Sequence, residues 1–535
     1  MRVLLIYPLF PSSFWSFEKT IELIGRKAMH PPLGLITVAA LCPADWEFRL
    51  VDCNIRRPTE ADWAWAEMVM LSAMIVQKQD LLTCIREAKR RGKVVVVGGP
   101  YPTSLPGECA ESDFLVLDEA EITLQPFLNA LARGETSGTF RSGDVKPDIT
   151  ATPIPRFDLL DLEAYAEMSV QFSRGCPFLC EFCDIIVLYG RKPRTKTPGQ
   201  MLAELQRLYD LGWRRSIFVV DDNFIGNKKN VKTLLAELRG WMEEHDYPFS
   251  LSTEASIDLA QDQALLDGMV ACNFRAVFLG IETPDTESLT LTRKSQNNRD
   301  PLAESVLRIT RSGLRIMAGF IIGFDNEKAG AGQRIVDFVE DNSIPTASFS
   351  LLQALPGTGL TKRLEREGRL LANQADLNQT TPLNFIPTRP IEQIAQEYVD
   401  GFWKLYDPVK FLDRVYRHYV LMKDANYPKR ARVGRKRMNL MHLRALLLIL
   451  WRQGLARSSR WRFWKRLYQM YKTNRRAVGS FISTCAQAEH LLDYRRRVRN
   501  EISRQVAALR EHGAQLPMAR PTAETDSALQ LTVLE

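Results

Sequence analysis

The stretch Gln171-Phe-Ser-Arg-Gly-Cys-Pro-Phe-Leu-Cys-Glu-Phe-Cys-Asp184 sets Cys176, Cys180 and Cys183 in a C-x3-C-x2-C. Three thiolates leave a bound cluster or metal one ligand short, so such a site keeps a coordination position where a further ligand can bind and react. The apolar residues from Met168 to Phe172 predict a short strand, and Ser173-Arg-Gly175 turns the chain so that the cysteines fall on a loop. A loop leaving the carboxyl end of a strand is where α/β folds place their chemistry. Two other readings compete, a structural zinc site and three unrelated buried thiols. Structural zinc takes four ligands in two close pairs, and no second Cys or His pair stands near this one. Cys42, Cys53, Cys84, Cys109, Cys272 and Cys485 are scattered singly and read as small core residues.

Downstream, strand-like runs recur at Ser216 to Val220, Phe249 to Thr253, Ala276 to Leu279, Ile316 to Ile322 and Ala347 to Leu355, with helical segments between them. With the cysteine-bearing strand they make six, which predicts a partial parallel barrel rather than a closed eight-stranded one. Polar residues stand where these strands end: Asp221-Asp-Asn-Phe224, Glu254-Ala-Ser256, Gly280-Ile-Glu-Thr283 and Gly319-Phe-Ile-Ile-Gly-Phe-Asp-Asn-Glu327. A single carboxylate after a strand is as readily a helix N-cap, but acids at successive corresponding positions point to one shared mouth.

Upstream, Val3 to Leu9, Phe48 to Cys53, Met68 to Met74, Val94 to Gly98 and Phe114 to Leu117 are apolar runs of strands buried on both faces. Leu33 to Leu41, Lys78 to Arg91 and Ile122 to Ala132 read as the helices between them, giving a doubly wound parallel sheet. Its strand ends carry Pro8-Leu-Phe-Pro11, Asp52, Ser72, Gly98-Gly-Pro-Tyr-Pro-Thr103 and Asp118-Glu-Ala-Glu121. Residues 134 to 165, with Thr152-Pro-Ile-Pro-Arg156, have the composition of a linker.

The C-x3-C-x2-C resembles the hallmark of the radical S-adenosylmethionine (SAM) superfamily. The sheet before it, with His30-Pro-Pro-Leu-Gly34 and Gly98-Gly99, is similar to the cobalamin-binding domain of the B12-dependent members. The resemblance implies that Cys176, Cys180 and Cys183 hold three irons of a [4Fe-4S] cluster whose fourth iron SAM chelates. It implies SAM contacts at Asp222, Asn223, Glu254, Ser256 and Glu282, with Gly319 and Gly323 giving backbone space, and cobalamin contacts at Pro8, Asp52, Ser72, Gly98, Gly99, Thr103 and Glu119. Three departures stand out. The D-x-H-x-x-G that supplies a lower axial histidine in other B12 folds is missing, so cobalamin is expected without histidine below cobalt. Asp118-Glu replaces a Gly-Glu turn, and Gly323-Phe-Asp-Asn-Glu327 stands where relatives have Gly-x-Pro-Gly-Glu. The fold expected is α/β, with a Rossmann-like domain at 1–135, a linker at 136–165, a partial (β/α)6 radical SAM barrel at 166–370, a helical basic extension at 371–515 and a disordered tail at 516–535.

A chain of 535 residues exceeds what one core supports, and 45% apolar with 25% charged residues is ordinary for a soluble protein. No N-terminal segment has the pattern of a secretory signal, and no run of about 18 apolar residues suggests a membrane span. Nine cysteines without a signal fit a reducing cytoplasm. The net charge of +8 is concentrated late in the chain, because Ala425 to Ala488 contains no acid. There Ile391 to Tyr419 reads as amphipathic helix, and Leu446-Leu-Leu-Ile-Leu-Trp451 and Trp461, Phe463, Trp464, Tyr468 and Tyr471 lie among Arg and Lys. A packed helical cap with a solvated face, a membrane-surface helix and a nucleic-acid surface all fit this composition.

The domain order, with Met168-Ser-Val-Gln-Phe-Ser173 and Cys183-Asp-Ile-Ile-Val-Leu-Tyr-Gly-Arg191, resembles the subgroup that includes the hopanoid C-2 methylases, over about residues 1 to 420. It implies an enzyme that splits SAM, takes a hydrogen from an unactivated carbon and methylates it, fed by an electron donor such as flavodoxin or ferredoxin. The expected substrate is apolar, a hopanoid-like lipid or a tetrapyrrole or natural-product scaffold. Alternatives are a methylthiolating tRNA enzyme, a non-methylating rearrangement or cyclisation, and a non-catalytic B12 sensor. Nucleic acid is the disfavoured partner, since no second cysteine set is present. The cytoplasm is the expected location, with a membrane-surface position tied to the basic helices.

Overall fold

The computed structural model describes residues 1–371, 377–428 and 440–511. The tail at 516–535, expected to be disordered, lies outside them.

The first half is a six-stranded parallel sheet of β1 (Arg2–Tyr7), β2 (Glu47–Asp52), β3 (Met68–Ser72), β4 (Val94–Gly98), β5 (Phe114–Val116) and β6 (Gly138–Phe140), in the order β2-β1-β3-β4-β5-β6. Successive residues feed opposite apolar layers. Leu4, Ile6, Val69 and Leu71 pack on one face, and Val3, Leu5, Met68 and Met70 on the other. Burial on both faces is why these strands read as unbroken apolar runs. The segment read as a linker carries β6, which extends the sheet, and three single-turn helices, Ile149–Ala151, Phe157–Leu159 and Leu162–Ala164. β6 escaped the sequence reading because Gly138-Thr-Phe140 is too short to show a period.

The second half begins with β7 (Met168–Val170). Next comes a small antiparallel pair, β8 (Ser173–Arg174) and β9 (Arg194–Thr195), which closes the base of the cysteine loop. The strands β10 (Ser216–Val219), β11 (Ser250–Ala255), β12 (Phe274–Glu282), β13 (Arg315–Ile322) and β14 (Thr346–Leu351) follow, and with β7 they form six parallel strands in the order β14-β13-β12-β11-β10-β7. Strands pairing in chain order, with β7 and β14 as edges, make an opened α/β barrel. Outward residues such as Val277, Leu279 and Ile281 are fully buried under the helices, whereas Phe278 and Gly280 on the other face are half-buried. The inner face of the barrel is therefore open rather than packed shut.

The helical segment expected over Ile391 to Tyr419 is two helices, Ile391–Leu405 and Pro408–Leu421. Pro408 cannot continue the first, and Asp407 caps the second by accepting from Val409 N and Lys410 N at 3.0 Å each. The helices Leu440–Trp451, Arg460–Thr473 and Val478–Glu511 complete the extension. It is tied to the start of the chain through Phe14, whose ring lies 6.1 Å from Phe402, 5.9 Å from Tyr406 and 6.1 Å from Tyr494. Among the described residues no helix is long and apolar enough to cross a membrane.

Candidate active site

The cysteine loop is held from below by a buried acid. Asp221, just past β10, accepts from Phe172 N at 2.7 Å and from Ser173 N and Oγ at 2.8 and 2.7 Å. Gly175 then turns at φ +92°, and a Cβ there would lie 2.9 Å from Gly190 O and 3.0 Å from Lys192 O, so no other residue fits. Cys180 is buried while Cys176 and Cys183 are half-buried. Two side-chain amides aim at sulfur: Asn223 Nδ2 lies 3.8 Å from Cys176 Sγ and Gln296 Nε2 lies 3.6 Å from Cys180 Sγ. Lys294 sits beside them, paired with Glu282 at 2.6 Å, and its charge is favoured by Glu282 and by Cys180 and Cys183. Burial pushes the free thiols of Cys176 and Cys183 up, the state a positive iron centre reverses.

The three sulfurs are not gathered within 4.8 Å of one another, the closeness that one shared ion requires. A cluster of several irons is wider, and cysteines spread around it with amide donors and a cation nearby fit such a group. Elsewhere the fold joins two cysteines that stand apart in sequence. Cys53, Cys84 and Asp80 lie within 4.8 Å of one another, with Asp80 already engaged by Arg57 at 2.7 Å and Leu9 N at 2.6 Å.

The acids at the barrel mouth divide into paired and unpaired. Glu282 is spent on Lys294. It sits at a bulge in β12 with φ +64°, and a Cβ on Gly280 would lie 2.5 Å from its Oε1. Asn223 bridges the cysteine loop to the end of β11, its Oδ1 accepting from Ser256 N at 3.2 Å and Oγ at 3.3 Å. Asp222 keeps a buried Oδ2 without a partner, and burial together with Asp221 and Asp184 pushes its carboxyl up to about 7. The Glu254 carboxylate forms no hydrogen bond or ion pair among the described residues, and burial followed by the charges of Asp222, Asp221 and Glu282 pushes it up to about 8. Two carboxyls raised by burial and by neighbouring acids are an acceptor for a cation. The glycines expected to give backbone space are filled by the chain itself, since a Cβ on Gly319 would lie 2.7 Å from the Phe278 ring and one on Gly323 3.1 Å from Leu383.

Across from this mouth, most polar strand ends of the first sheet hold the protein together. Asp52 accepts from Asn54 N at 2.8 Å and from Tyr165 OH at 3.1 Å, and Thr103 Oγ1 accepts from Asp118 N at 2.8 Å. Pro8 O accepts from Gln77, and Ser72 backs Gly99, whose φ of +96° suits glycine alone. Gly98 is required by β5, because a Cβ there would meet Val116 O at 2.6 Å. Glu119 is buried between Arg174 and Arg194, at 2.8 Å from each, and Glu121 takes the other side of Arg174 at 2.8 Å. These arginines bracket the cysteine loop, so the first sheet grips it directly. Of the cations on the loop that follows the cysteines, Arg194 is used here and Lys196 is buried against Glu204. Among the side chains exposed at the strand ends of the first sheet are two apolar ones, Leu9 after β1 and Met74 after β3.

Three family models match the chain: a B12 binding domain over residues 22–128, the radical SAM superfamily over 170–339 and a domain of unknown function, DUF4070, over 358–504. An uncharacterized methyltransferase of Synechocystis sp. is 60% identical over 509 residues, covering 95% of this chain and 94% of that protein. The hopanoid C-2 methylase of Rhodopseudomonas palustris is 33% identical over 504 residues, covering 92% of this chain and 94% of that protein. The chain belongs to the cobalamin-dependent radical SAM methyltransferase family.

The fold agrees with membership of that methyltransferase family. The radical SAM methyltransferase TsrM of Kitasatospora setae, solved with cobalamin and a [4Fe-4S] cluster, superposes with a TM-score of 0.61 at 17% identity, covering 89% of this chain and 99% of that one. Sequence reasoning did not foresee two contacts between the halves, although it singled out His30. Trp15 packs 5.3 Å from Phe278, and His30 lies 5.2 Å from Phe218, both reaching from the first half into the barrel. His30 is held neutral by burial, lowered to about 4, and serves this joint. Only long-range packing brings these residues together, and no local spacing announces it.

Proposed function

We infer that this chain is a cobalamin-dependent methylase that adds a methyl group to an unactivated carbon of an apolar polycyclic lipid. The observation that carries the reading is the joint between the halves, where Trp15 packs on Phe278 and neutral His30 on Phe218, an aromatic wall in which Phe278 is in register with Glu254 on the neighbouring strand. Such a wall excludes water and suits an apolar substrate lying between two cofactors. When bound, the cluster supplies an electron for SAM cleavage and cobalamin supplies a cobalt able to accept and pass on a methyl group.

The residues of the chain bind and orient. Cys176, Cys180 and Cys183 would hold the cluster, with Asn223 and Gln296 donating to two of the sulfurs. Asp222 and Glu254 would accept the SAM cation and lose their protons to do so. Exposed Leu9 and Met74 would meet the corrin. Glu119, Arg174 and Arg194 fix the cysteine loop against the first sheet, so the two cofactor sites keep one spacing. An electron donor such as flavodoxin or ferredoxin and a working place at the membrane surface belong to the same proposal.

Anaerobic reconstitution with iron, sulfide and hydroxocobalamin, followed by SAM-cleavage assay, tests the chemistry, and lipid profiling of a deletion strain tests the substrate. Cobalamin binding, SAM cleavage and loss of one methylated polycyclic lipid are expected. A protein that binds no cobalamin defeats the methylase reading, and an unchanged lipid profile with a missing methylated tetrapyrrole defeats the substrate.

A further inference from the structure

The helix Arg460–Thr473 has two unlike faces. Phe463 and Met470 are fully buried, and Arg462 and Arg466 turn inward to pair with Asp413 on Pro408–Leu421. These contacts already anchor the helix. On the opposite side Trp461, Trp464, Tyr468 and Tyr471 recur at intervals of three and four residues and are exposed, Trp461 by 74%. Lys465 and Lys472 fall on the same stripe at the same spacing, and Arg475, just past the helix end, lies over Tyr471, so one arc of this surface is aromatic and cationic.

A second stripe adjoins the first. Leu447, Trp451 and Leu455 stand four residues apart along Leu440–Trp451 and the wide turn Arg452–Ala456, and are exposed by 57%, 57% and 60%. The two stripes meet where Trp464 Nε1 donates to Gly454 O at 2.8 Å. Isolated exposed apolar residues are common, but a contiguous set on a surface without acids is not. Arg460, Lys465, Lys472 and Arg475 form no ion pair with a carboxylate among the described residues. Three of them lie instead over aromatic rings: Arg460 over Trp461 at 5.9 Å, Lys472 over Tyr468 at 5.7 Å and Arg475 over Tyr471 at 4.9 Å.

We propose that this double stripe seats the protein on the surface of an anionic lipid bilayer, with the aliphatic and aromatic side chains at the level of the headgroups and the cations facing lipid phosphates. Charge complementarity is supplied by a stretch from Ala425 to Ala488 that has no Asp or Glu. Nucleic acid would also accept cations and aromatic rings, yet it has no use for Leu447 and Leu455, which a membrane interface buries. No described helix is long and apolar enough to span the bilayer, so the contact lies on it. This inference does not depend on which carbon is methylated.

The test is sedimentation of the full chain with vesicles of phosphatidylcholine alone and of phosphatidylcholine mixed with phosphatidylglycerol. Binding to the mixed vesicles, weakened by salt, is expected. Joint replacement Leu455→Ser, Trp461→Ser and Tyr468→Ser should lower it by about tenfold or more. Lys465→Gln with Lys472→Gln and Arg475→Gln should remove the preference for phosphatidylglycerol, and both sets should leave SAM cleavage by the reconstituted enzyme unchanged. If a variant fails to fold, quenching of the unaltered protein's tryptophan fluorescence by brominated phosphatidylcholine in the mixed vesicles replaces it. No binding to the mixed vesicles, binding indifferent to the stripe, no quenching, or tighter binding to single-stranded RNA than to vesicles would each overturn the proposal.

Discussion

Both parallel sheets of this molecule bring carboxylates to the carboxyl ends of their strands, yet they use them in opposite ways. In the first sheet Asp52, Glu119 and Glu121 are all engaged by protein donors, and Glu119 alone serves two arginines. In the barrel Asp222 and Glu254 are left without an ion-pair partner among the described residues and are pushed up to about 7 and 8. An acid satisfied by its own chain has little left to offer a ligand, whereas a buried acid kept from ionising gains by meeting a cation. The first sheet therefore works as a clamp, and the barrel keeps acids that its own chain does not satisfy.

The largest effect expected bears on the barrel. Replacing any one of Cys176, Cys180 or Cys183 by Ala should lower SAM cleavage roughly a thousandfold or more, and the triple variant should be little worse, because ligands of one group act as a unit. Iron content and the visible absorption of the reconstituted protein report the loss directly. A single variant that kept a full cluster would mean that another side chain had taken its place, and would erase the contrast between open and satisfied sites.

Next comes the clamp. Glu119→Gln leaves Arg174 to Glu121 and deprives Arg194 of its carboxylate in a buried setting, which should cost about 3 kcal/mol in urea unfolding. Glu204→Gln, at the buried Lys196 pair within the barrel half, is the matched control. Both should destabilise, but only Glu119→Gln should lower the methylated product formed per SAM cleaved, because only it loosens the cysteine loop from the first sheet. Equal losses of that ratio in the two variants would reduce the clamp to ordinary structural support.

The two halves also differed in how readily their sequences could be read. β1, β3 and β4 are buried on both faces, so apolar runs marked them, whereas β2 exposes Glu47 and Arg49. β12 runs from Phe274 to Glu282 but showed itself only over Ala276 to Leu279, because its inner face carries Gly280 and Glu282. An open barrel lumen interrupts the very signal that a filled one would give. The cysteine loop was legible because its ligands are three and four residues apart. Glu119 with Arg174, Lys294 with Glu282 and Trp15 with Phe278 are joined only by folding. Glu119 was consequently assigned to a ligand contact, and Gly319 and Gly323 to space that Phe278 and Leu383 fill.

The smallest effect is also the sharpest on the comparison, because it gives stability and binding opposite signs. Glu254 carries a carboxyl raised from 4.5 to about 8, chiefly by burial. Between those values the folded protein holds a proton that the unfolded chain has released, so the contribution to stability is full below the ordinary value and is lost as pH rises toward about 8. Glu254→Gln removes that loss. The ligand-free variant should match the wild type near pH 5 and exceed it near pH 8 by on the order of 1 kcal/mol in thermal or urea unfolding. SAM, bearing a sulfonium and an ammonium, needs the ionised acid, so wild-type affinity should rise with pH across the same window. The variant should bind about tenfold more weakly at high pH and show little of that rise in calorimetry. Stability that shifts as described while SAM affinity stays flat with pH would show that Glu254 is strained but faces no cation. The acceptor for the cation would then narrow to Asp222, whose lower value of about 7 predicts a midpoint correspondingly lower.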